Sequence, residues 1–561
     1  MGLGLCALVY SCASGTSDVA DSSSSAGRSS SGGRSSTGGR SGAGGQGALA
    51  GSSGEDGSGG EQSEPNYGRF GEPEHVFTLP GGQTIYYPDL VGSFPEVDFE
   101  TLDRLYIPAG EYRTIMLGSL PERSPERPLV ITNQGGQVKV GGQAANYVMS
   151  MSGGKNWILT GRYDPVSQTG DAGFRGHVEG GYAHSQDTYG IVIDDAFSKE
   201  GLSGLAIGGK ASDFELDCFE VRRVEFAGII AKTDGDGSAL MRNVKVHDLY
   251  VHDTGSEGIY FGSTQAQPQH AFENLKIYDN RFLRTGTEAL QIGQQGHGLD
   301  VHHNVLGPAA IRWRSAFQKY QDGNVQYGQR YGSGSFHHNI VIGTGDLFVE
   351  FFPTLVDGDP RQASDKVSFT NNYFSDSSLG GVYTHAIDTG VTIEFSKNVF
   401  RGFRFNYDSV YPDTKAPVQV FGVGSNSPNP HLFLDNQFEA DFPFLLYSFP
   451  SVTAENNEQV EVPPVRFRKF MGPEIEQDVR RLEWWTSAAT LSPDGRAVTY
   501  PKGAFVMHQG VLYRALKENA GLPPDEAPDV WEPLPDPADD VRLAEDSPQR
   551  GLGVRWPPAT N

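Results

Sequence analysis

The sequence predicts an all-β protein: a right-handed parallel β-helix followed by a small C-terminal β-domain. Three observations predict the solenoid. Asparagine recurs in one register, short apolar alternations flank it, and no helical periodicity intervenes. Intervals of 24, 35, 33, 26 and 38 residues separate Asn280, Asn304, Asn339, Asn372, Asn398 and Asn436. Such unequal spacing suits solenoid coils with loops of variable length better than the competing β-propeller or β-sandwich.

Each asparagine is flanked by runs with period-2 alternation, the pattern of half-buried strands, such as Leu275-Lys276-Ile277. A seventh segment, Val246-His247-Asp248-Leu249, is placed in the same register with Asp248 at the asparagine position. Asparagine tolerates the left-handed backbone conformation, so we expect it at the tight bend between two strands. We also expect the stacked asparagine side chains to hydrogen-bond along the solenoid axis.

Composition divides the 561 residues into five parts. They are a signal-like segment (1–12), a Gly/Ser linker (13–65), the β-helix (66–474), a small β-domain (475–534) and an acidic, Pro-rich tail (535–561). No run of about 18 apolar residues occurs, so no transmembrane helix is predicted. Three cysteines cannot make a disulfide framework, and Cys218 lies in an apolar alternation that predicts a core position.

The N-terminus predicts export. Its apolar stretch ends in Val9-Tyr10-Ser11-Cys12, which resembles a bacterial lipobox and implies cleavage before Cys12 and lipidation of that residue. No basic residue precedes the stretch, which suggests a start codon further upstream; a terminus without a signal function is the alternative. The linker holds 15 Gly and 16 Ser and behaves as a flexible coil. We therefore expect an extracellular or cell-surface protein, lipid-anchored to a bacterial membrane or secreted.

The net charge of −25, from 44 Lys+Arg and 69 Asp+Glu, argues against a nucleic-acid binder, which needs cations to neutralise phosphates. It argues more weakly against a polyanionic substrate. Residues 13–65 and 521–561 carry −3 and −6, so −16 remains for the rest of the chain. A neutral polysaccharide is thus the expected partner, bound by a monomer.

Several segments of roughly residues 76–465 follow one family pattern. They are Leu105-Tyr106-Ile107-Pro108-Ala109-Gly110-Glu111-Tyr112, Pro128-Leu129-Val130-Ile131-Thr132-Asn133, Gly136-Gln137-Val138, Gly228-Ile229-Ile230-Ala231-Lys232-Thr233-Asp234 and His252-Asp253-Thr254-Gly255. This stretch resembles the pectin-lyase-like β-helix proteins. The resemblance implies the fold but leaves the activity open, because that superfamily contains hydrolases, lyases, epimerases and adhesins.

Two consecutive coils suggest a catalytic pair: Thr254-Gly255-Ser256-Glu257 aligns with Thr285-Gly286-Thr287-Glu288. Stacking of these coils would place the backbones of Glu257 and Glu288 about 5 Å apart. Retaining glycosidases hold a nucleophile and an acid/base carboxyl about 5–5.5 Å apart, and close like charges raise one pKa. We predict Glu257 and Glu288 in these roles, in unassigned order, with Asp253 as a third carboxylate. A polar turn without chemistry is the alternative.

Other groups allow metal or lyase chemistry. Calcium takes 6–8 oxygen ligands, and an acidic group is formed by Asp194, Asp195, Asp217, Asp234 and Asp236. Solvated loop acids are the alternative, and no other cofactor is expected. His302-His303 and His337-His338 are expected to stack, either as metal ligands or as outer-face polar residues.

A lyase acting on a uronate would need cations such as Lys232, Arg284, Arg312, Arg314 and Lys319. Nearby aromatic residues that either stack on sugars or pack a loop are Tyr260, Trp313, Phe317, Tyr320, Tyr327 and Tyr331.

The C-terminal motif is Trp485, Tyr500-Pro501-Lys502-Gly503, Gln509-Gly510, Tyr513-Arg514-Ala515 and Trp531-Glu532-Pro533-Leu534. It resembles the type-3 chitin-binding module (carbohydrate-binding families 5 and 12) over residues 485–534, with a departure at the insert 492–499. The resemblance implies that aromatic side chains stack on sugar faces. The candidates are Trp485, Tyr500, Tyr513 and Trp531, with Trp484 as an extra. Of these, Tyr513 and Trp531 are the ones most expected in the module's core.

These features together predict an exported polysaccharide-binding protein that hydrolyses O-glycosidic bonds of a neutral, chitin-like or other β-linked glycan. Two alternatives stay open. One is a lyase acting on a uronate polymer. The other is a non-catalytic surface adhesin, in which the β-helix is a rigid spacer.

Overall fold

The computed structural model describes residues 73–142, 147–161, 189–208, 210–231, 240–263, 271–313, 323–345, 347–378, 380–385, 389–403, 421–423, 428–439, 451–471, 479, 482–487, 497–535 and 539–555. The predicted signal, the lipidation site Cys12 and the Gly/Ser linker lie outside these residues. So do Lys232, Asp234, Asp236, Arg314, Phe317, Lys319 and Tyr320. Among the described residues, no helix has the length and apolar character needed to cross a membrane.

The described residues form one short helix, α1 (Leu90–Ser93), and 42 strands. The first strands are β1 (Val76–Thr78), β2 (Thr84–Tyr87), β3 (Arg104–Tyr112), β4 (Thr114–Leu117), β5 (Leu129–Val140), β6 (Tyr147–Ser152), β7 (Lys155–Thr160), β8 (Ile191–Asp194), β9 (Ser203–Gly208), β10 (Ser212–Asp217), β11 (Glu220–Arg222) and β12 (Ile229–Ala231). The central strands are β13 (Leu240–Arg242), β14 (Lys245–His247), β15 (Tyr250–Thr254), β16 (Ile259–Phe261), β17 (Ala271–Glu273), β18 (Lys276–Tyr278), β19 (Arg281–Thr285), β20 (Leu290–Gln295), β21 (Leu299–His302), β22 (Val305–Leu306), β23 (Val325–Gln329), β24 (Gly334–His337), β25 (Ile340–Thr344) and β26 (Leu347–Pro353). The last solenoid strands are β27 (Lys366–Thr370), β28 (Tyr373–Ser377), β29 (Gly380–Thr384), β30 (Thr392–Ser396), β31 (Val399–Phe403), β32 (Phe421–Val423), β33 (His431–Leu434), β34 (Gln437–Phe438), β35 (Val452–Glu455) and β36 (Glu458–Gln459). The C-terminal strands are β37 (Phe467–Lys469), β38 (Leu482–Trp484), β39 (Phe505–His508), β40 (Val511–Ala515), β41 (Trp531–Pro533) and β42 (Asp540–Leu543).

Strands β1 to β36 pair in parallel and form three faces of a solenoid. The first face contains β1, β3, β5, β7, β10, β14, β18, β21, β24, β27, β30, β33 and β35. The second face contains the end of β5 followed by β8, β11, β15, β19, β22, β25, β28, β31, β34 and β36. The third face contains β2, β4, β6, β9, β12, β16, β20, β23, β26, β29 and β32, and its sheet also includes β13 and β17, which pair with each other, with β17 pairing with β20. The predicted fold, a right-handed parallel β-helix with a small C-terminal β-domain, is confirmed.

The core lies inside the solenoid because alternate residues of every strand point inward. On the third face, for example, Ile259 and Phe261 are fully buried in the core, whereas Tyr260 between them points outward. Aromatic side chains from successive coils stack inside, as with Phe369 and Phe395, whose ring centroids are 4.3 Å apart. Cys218 is buried, as predicted for a structural cysteine.

An asparagine ladder runs along the bend between the first and second faces. The backbone N–H and side-chain Nδ2 of Asn339 both donate to Oδ1 of Asn372, each at 3.0 Å, and Nδ2 also donates to the carbonyl of Val301. The same pattern links Asn280, Asn304, Asn339, Asn372, Asn398, Asn436 and Asn457. The predicted axial hydrogen bonding is confirmed.

Two details of the predicted repeat were wrong. The left-handed conformation belongs to the residue before each asparagine, such as Asp279 or His338, and not to the asparagine. His247 pairs with Tyr278, so Leu249 and not Asp248 occupies the position equivalent to Asn280. Leu249 supplies only its backbone N–H, which donates to Oδ1 of Asn280. The ladder therefore starts one coil later than predicted and ends at Asn457, which the sequence pattern did not reveal.

The C-terminal part returns to the solenoid. Strands β38 to β41 form a four-stranded sheet, whereas β37, inside the predicted β-helix range, pairs antiparallel with β42, inside the predicted tail. Apolar residues of both segments cover the outer side of the second face, where Val554 and Phe470 join one buried cluster with Val305 and Ile340. Arg555 pairs with Asp279 at 2.6 Å. The described part of the acidic tail is thus packed structure.

Candidate functional site

The turn that carries each predicted catalytic glutamate is repeated in two coils. The hydroxyl of Thr254 donates to the carbonyl of Ser256 at 2.8 Å, and that of Thr285 donates to the carbonyl of Thr287 at the same distance. A Cβ on Gly286 would lie 2.1 Å from the carbonyl oxygen of Gly255, so glycine is required at this contact. The predicted alignment of the two coils is therefore correct.

This turn places Glu257 and Glu288 side by side. Ile259 pairs with Leu290 in the parallel register, and the N–H of Gly258 donates to the carbonyl of Glu288 at 2.9 Å. Neighbouring strands are about 4.8 Å apart, so the two glutamates stand one strand spacing from each other. We define these two residues as the carboxyl pair.

Both members of the carboxyl pair have 0% exposure. Ser256 donates a hydrogen bond to Oε2 of Glu257 at 2.6 Å. Burial, followed by the charge of Glu257, raises the pKa of Glu288 well above its usual range. The pair therefore combines a carboxyl that keeps its proton with a hydrogen-bonded partner.

A row of polar and aromatic side chains lies on the outer side of the third face, on the strands that follow the carboxyl pair. Its members occupy one register across β16, β20, β23, β26 and β29. We call it the outer row: Tyr260, Gln291, Gln326, Glu350 and Tyr383. Four strand spacings give the row a length of about 19 Å.

Glu350 is the charged member of the outer row, and sequence reasoning missed it together with Gln291, Gln326 and Tyr383. Its carboxylate accepts a hydrogen bond from Nε2 of Gln326 at 3.1 Å and lies 2.8 Å from Nε2 of His385, a side chain that is 40% exposed. The charge of Glu350 also contributes to raising the pKa of Glu288. The available signal was the acid between apolar residues in Phe348-Val349-Glu350-Phe351, which places it on the outer side of a strand.

Asp253 belongs to a different set of contacts from the carboxyl pair. Its carboxylate lies 2.6 Å from Arg284 and 2.5 Å from Nδ1 of His252, and Arg284 in turn lies 2.6 Å from Asp539. Burial alone would raise the pKa of Asp253, but the positive charges of Arg284 and His252 hold it well below its usual range. The predicted third catalytic carboxylate is thus part of a buried ion-pair cluster, which also uses the predicted cation Arg284.

The described members of the predicted calcium group do not share one site. Asp194 pairs with Arg222 and Arg223, and Asp195 is fully buried and accepts hydrogen bonds from Gly142 and Ser198. Each carboxylate therefore has partners within the protein.

Asp217 lies instead within ligand distance of Glu215 and His247. Burial lowers the pKa of His247, but Asp217, Asp248 and Glu215 together raise it to about 10. His247 lies among carboxylates, with Nδ1 2.7 Å from Asp248 and Nε2 3.0 Å from Glu215.

The predicted histidine stacks are confirmed. His302 stacks on His337 with ring centroids 5.0 Å apart, and His303 stacks on His338 at 5.1 Å. Burial lowers the pKa of His302 to about 4 and that of His303 to about 2. Nδ1 of His302 lies 2.9 Å from Nδ1 of His303, and His302 also stacks on Tyr278 with ring centroids 5.1 Å apart.

The structure places Tyr513 and Trp531 in the core of the C-terminal module, as expected, and corrects Tyr500 and Trp484, which were predicted to stack on sugars. Tyr500 and Trp531 are fully buried, with their rings 5.4 Å apart, and Tyr513 joins them in the same core cluster. Trp484 is buried against the solenoid. These side chains have no free face for a sugar. Trp485 alone among the five candidates is half-buried.

No protein-family model matches the chain, and no curated protein matches it significantly. Among solved structures, the GH136 lacto-N-biosidase from Eubacterium ramulus is similar at 11% identity and a TM-score of 0.40, covering 69% of this chain and 68% of its own. The catalytic unit of the GH87 α-1,3-glucanase from Streptomyces thermodiastaticus matches at 11% identity and a TM-score of 0.37, with 70% of each chain covered. An alginate lyase from Paenibacillus matches at 14% identity and a TM-score of 0.33, covering 59% of this chain and 98% of its own.

The other predicted cations and aromatic residues divide between core and site. Tyr327 is fully buried in the solenoid core, so it packs the structure and does not face a ligand. Arg312 lies at the corner that carries the carboxyl pair and donates from Nη1 to the carbonyl of Gly255 at 2.9 Å. The site therefore consists of the carboxyl pair at one end of β16 and β20 and the outer row along the third face.

Proposed function

We propose that this protein hydrolyses O-glycosidic bonds of a neutral, β-linked polysaccharide at the carboxyl pair. The observation that carries the proposal is the parallel register of β16 and β20, which sets Glu257 and Glu288 side by side in the turns before these strands, at one end of the outer row. One strand spacing between them matches the separation of about 5–5.5 Å that a retaining glycosidase needs.

The environments of the two carboxyls suggest their order. Glu288, whose pKa burial and Glu257 raise, acts as the general acid and passes its proton to the glycosidic oxygen of the leaving sugar. Glu257, hydrogen-bonded by Ser256, acts as the nucleophile at the anomeric carbon. Water then breaks the glycosyl–enzyme bond and gives its proton to the carboxylate of Glu288, which restores both groups.

The outer row supports a chain-like substrate. A row of about 19 Å is longer than a single sugar ring, and the amide of the half-buried Gln326 is a donor and an acceptor suited to hydroxyl groups. The half-buried Tyr383 at one end of the row offers aromatic surface for sugar faces, whereas Tyr260 and Gln291 are buried. The negative charge that remains in the body of the chain favours a neutral glycan over a polyuronate.

A panel of soluble polymers, including β-glucans, chitin oligomers and hemicelluloses, tests the proposal with the purified full chain. We expect new reducing ends from one member of the panel. If no polymer releases reducing ends, the hydrolase is rejected. An increase in absorbance near 235 nm on alginate or pectate would reveal a lyase, because elimination creates a conjugated double bond.

The second candidate function is a non-catalytic glycan-binding adhesin. The 0% exposure of both carboxyls favours it, because a substrate reaches them only if the site opens. In that case the protein is retained on an insoluble glycan without releasing product, and Glu257→Ala together with Glu288→Ala leaves retention unchanged. The half-buried Trp485 is the residue of the C-terminal module that we propose to contact the glycan.

A further inference from the structure

Two pairs of adjacent histidines lie on successive coils, at the bend between the first and second faces of the solenoid. We call His302 and His303 the first pair, and His337 and His338, which follow in the same register, the second pair. All four side chains are half-buried. Within each pair, the two Nδ1 atoms lie 2.9 Å apart, and the two rings are nearly perpendicular. The same arrangement of facing ring nitrogens is therefore built twice, one strand spacing apart.

The asparagine ladder does not require histidine at this bend. The residue before each ladder asparagine needs only to adopt the left-handed backbone conformation, with a φ of 56° at His303 and 55° at His338. In other coils the same position is filled by Asp279, Asn371 and Lys397. The fold therefore accounts for the bend but not for the choice of histidine.

Asp300 determines which nitrogen of the His337 ring carries a proton. Its carboxylate lies 3.1 Å from Nε2 of His337 and only accepts hydrogen bonds, so Nε2 is the donor. Ser335 donates to the same carboxylate at 2.9 Å and holds it in place. The neutral His337 ring then presents the lone pair of Nδ1 toward His338. A metal-binding histidine is oriented in this way, by a carboxylate on its other ring nitrogen.

The spacing of the two nitrogens in a pair suits a chelate with a right angle at the metal. Metal–imidazole bonds are about 2.0–2.1 Å long, so nitrogens 2.9 Å apart subtend an angle of about 90° at a shared ion. A tetrahedral ion such as Zn²⁺ needs about 109°, which corresponds to nitrogens about 3.3–3.4 Å apart. An angle of about 90° matches square-planar or tetragonal coordination, the geometry of Cu²⁺ and Ni²⁺.

We propose that the second pair binds one Cu²⁺ or Ni²⁺ ion through its two Nδ1 atoms, with Asp300 as the positioning residue of the His337 ring. On binding, two metal–nitrogen bonds replace the hydrogen bond between the rings. The proton of His338 moves from Nδ1 to Nε2 through water, so both rings stay neutral. The N–H of Gly553 donates to the carbonyl of His338 at 2.9 Å and fixes the backbone of this ligand.

The second pair is favoured over the first by exposure and by its carboxylate. The side chain of His337 is 28% exposed and that of His302 is 14% exposed. Asp300 lies 3.9 Å from Nε2 of His302, beyond hydrogen-bond distance. Two divalent ions one coil apart would repel each other, so we expect one ion per chain. Arg555, the neighbouring cation, is paired with Asp279 at 2.6 Å.

The test is calorimetric titration of the purified full chain with CuSO4 or NiCl2, together with the EPR spectrum of the Cu²⁺ form. We expect one ion per chain and the nitrogen splitting of two imidazoles. Asp300→Ala should weaken binding about 10- to 100-fold. His337→Thr together with His338→Asn copies Thr370 and Asn371 of the next coil, so it preserves the bend, and it should weaken binding more than Asp300→Ala does.

The matched control is His75→Gln, which removes a histidine that is 53% exposed and should bind both ions as the wild type does. The inference is overturned if the double variant binds Cu²⁺ and Ni²⁺ as tightly as the wild type, or if the Cu²⁺ spectrum has no imidazole splitting. Tighter binding of Zn²⁺ than of Ni²⁺ would overturn the right-angle chelate. A double variant that unfolds is recognised by its circular dichroism, and His338→Asn alone then decides the outcome. Because no polysaccharide enters this experiment, its result is independent of the proposed function.

Discussion

At the scale of single residues, Glu288 is the group whose environment differs most from that of a free glutamate. It is fully buried next to Glu257, and Glu350 adds negative charge from the outer row. The sequence predicted the pair because two turns match residue by residue, from Thr254 and Thr285 onward. It did not predict the burial, because the side chains that cover a turn come from elsewhere in the chain.

The raised pKa of Glu288 predicts a pH-dependent stability. The pKa of Glu288 is higher in the folded state than in the unfolded state. The free energy of unfolding is therefore highest below the unfolded-state pKa, and it falls as the pH rises from that pKa toward the folded-state pKa. The loss is about 1.4 kcal/mol for each pH unit in that window. Glu288→Gln removes this titration, so in urea denaturation the free energy of unfolding of the variant should fall less than that of the wild type as the pH rises above the ordinary pKa of glutamate.

The control for this experiment is Glu122→Gln, whose side chain is 71% exposed. It should follow the wild type at every pH within about 0.5 kcal/mol. A constant difference between Glu288→Gln and the wild type across the pH range would show that Glu288 has no raised pKa.

At the scale of elements, the asparagine ladder explains why one residue type recurs at such uneven intervals. Each side chain accepts from an N–H and donates to a carbonyl of the preceding coil, and it donates to the asparagine oxygen of the next coil, as Asn372 does. The length of the loops elsewhere in the coil does not affect these contacts. This local requirement made the fold predictable from the sequence. The start of the ladder was predicted wrongly, because Asp248 is polar and resembles a ladder residue in the sequence. Only the pairing of His247 with Tyr278 shows that Leu249 is the equivalent of Asn280.

Removing one ladder residue should cost several hydrogen bonds at once. Asn372→Ala deprives the N–H and Nδ2 of Asn339 of their acceptor and leaves the carbonyl of Phe336 without its Nδ2 donor. Because these groups are buried, we expect a loss of about 2–4 kcal/mol in the free energy of unfolding. Asn457→Ala, at the half-buried end of the ladder, should cost less than half as much. Equal losses in chemical denaturation would contradict this account of the ladder.

At the scale of the whole molecule, a buried ion-pair cluster joins the C-terminal segment to the solenoid. Arg284 lies 2.6 Å from both Asp253 and Asp539, and the hydroxyl of Tyr250 donates to the Asp539 carboxylate at 2.9 Å. Asp539 and Arg284 are 255 residues apart in the chain. Local sequence patterns carry no information on such a pairing, so composition predicted only an acidic tail.

Breaking this cluster should destabilise the protein strongly. Asp539→Ala leaves the fully buried Arg284 with one carboxylate instead of two, and we expect a loss of about 3–5 kcal/mol in the free energy of unfolding. Asp546→Ala removes an exposed partner of Arg466 and should cost less than about 1 kcal/mol. If both variants unfold at the same denaturant concentration as the wild type, the C-terminal segment is not held by this cluster.

The central claim, cleavage at the carboxyl pair, is tested most directly by reducing-end release from the polymer that the panel identifies. Glu257→Gln and Glu288→Gln remove the charge or the proton while keeping side-chain volume. The account predicts that each lowers kcat by roughly 100- to 10,000-fold, whereas Glu122→Gln stays within about twofold of the wild type. Folded variants of both residues that release reducing ends at the wild-type rate would contradict it.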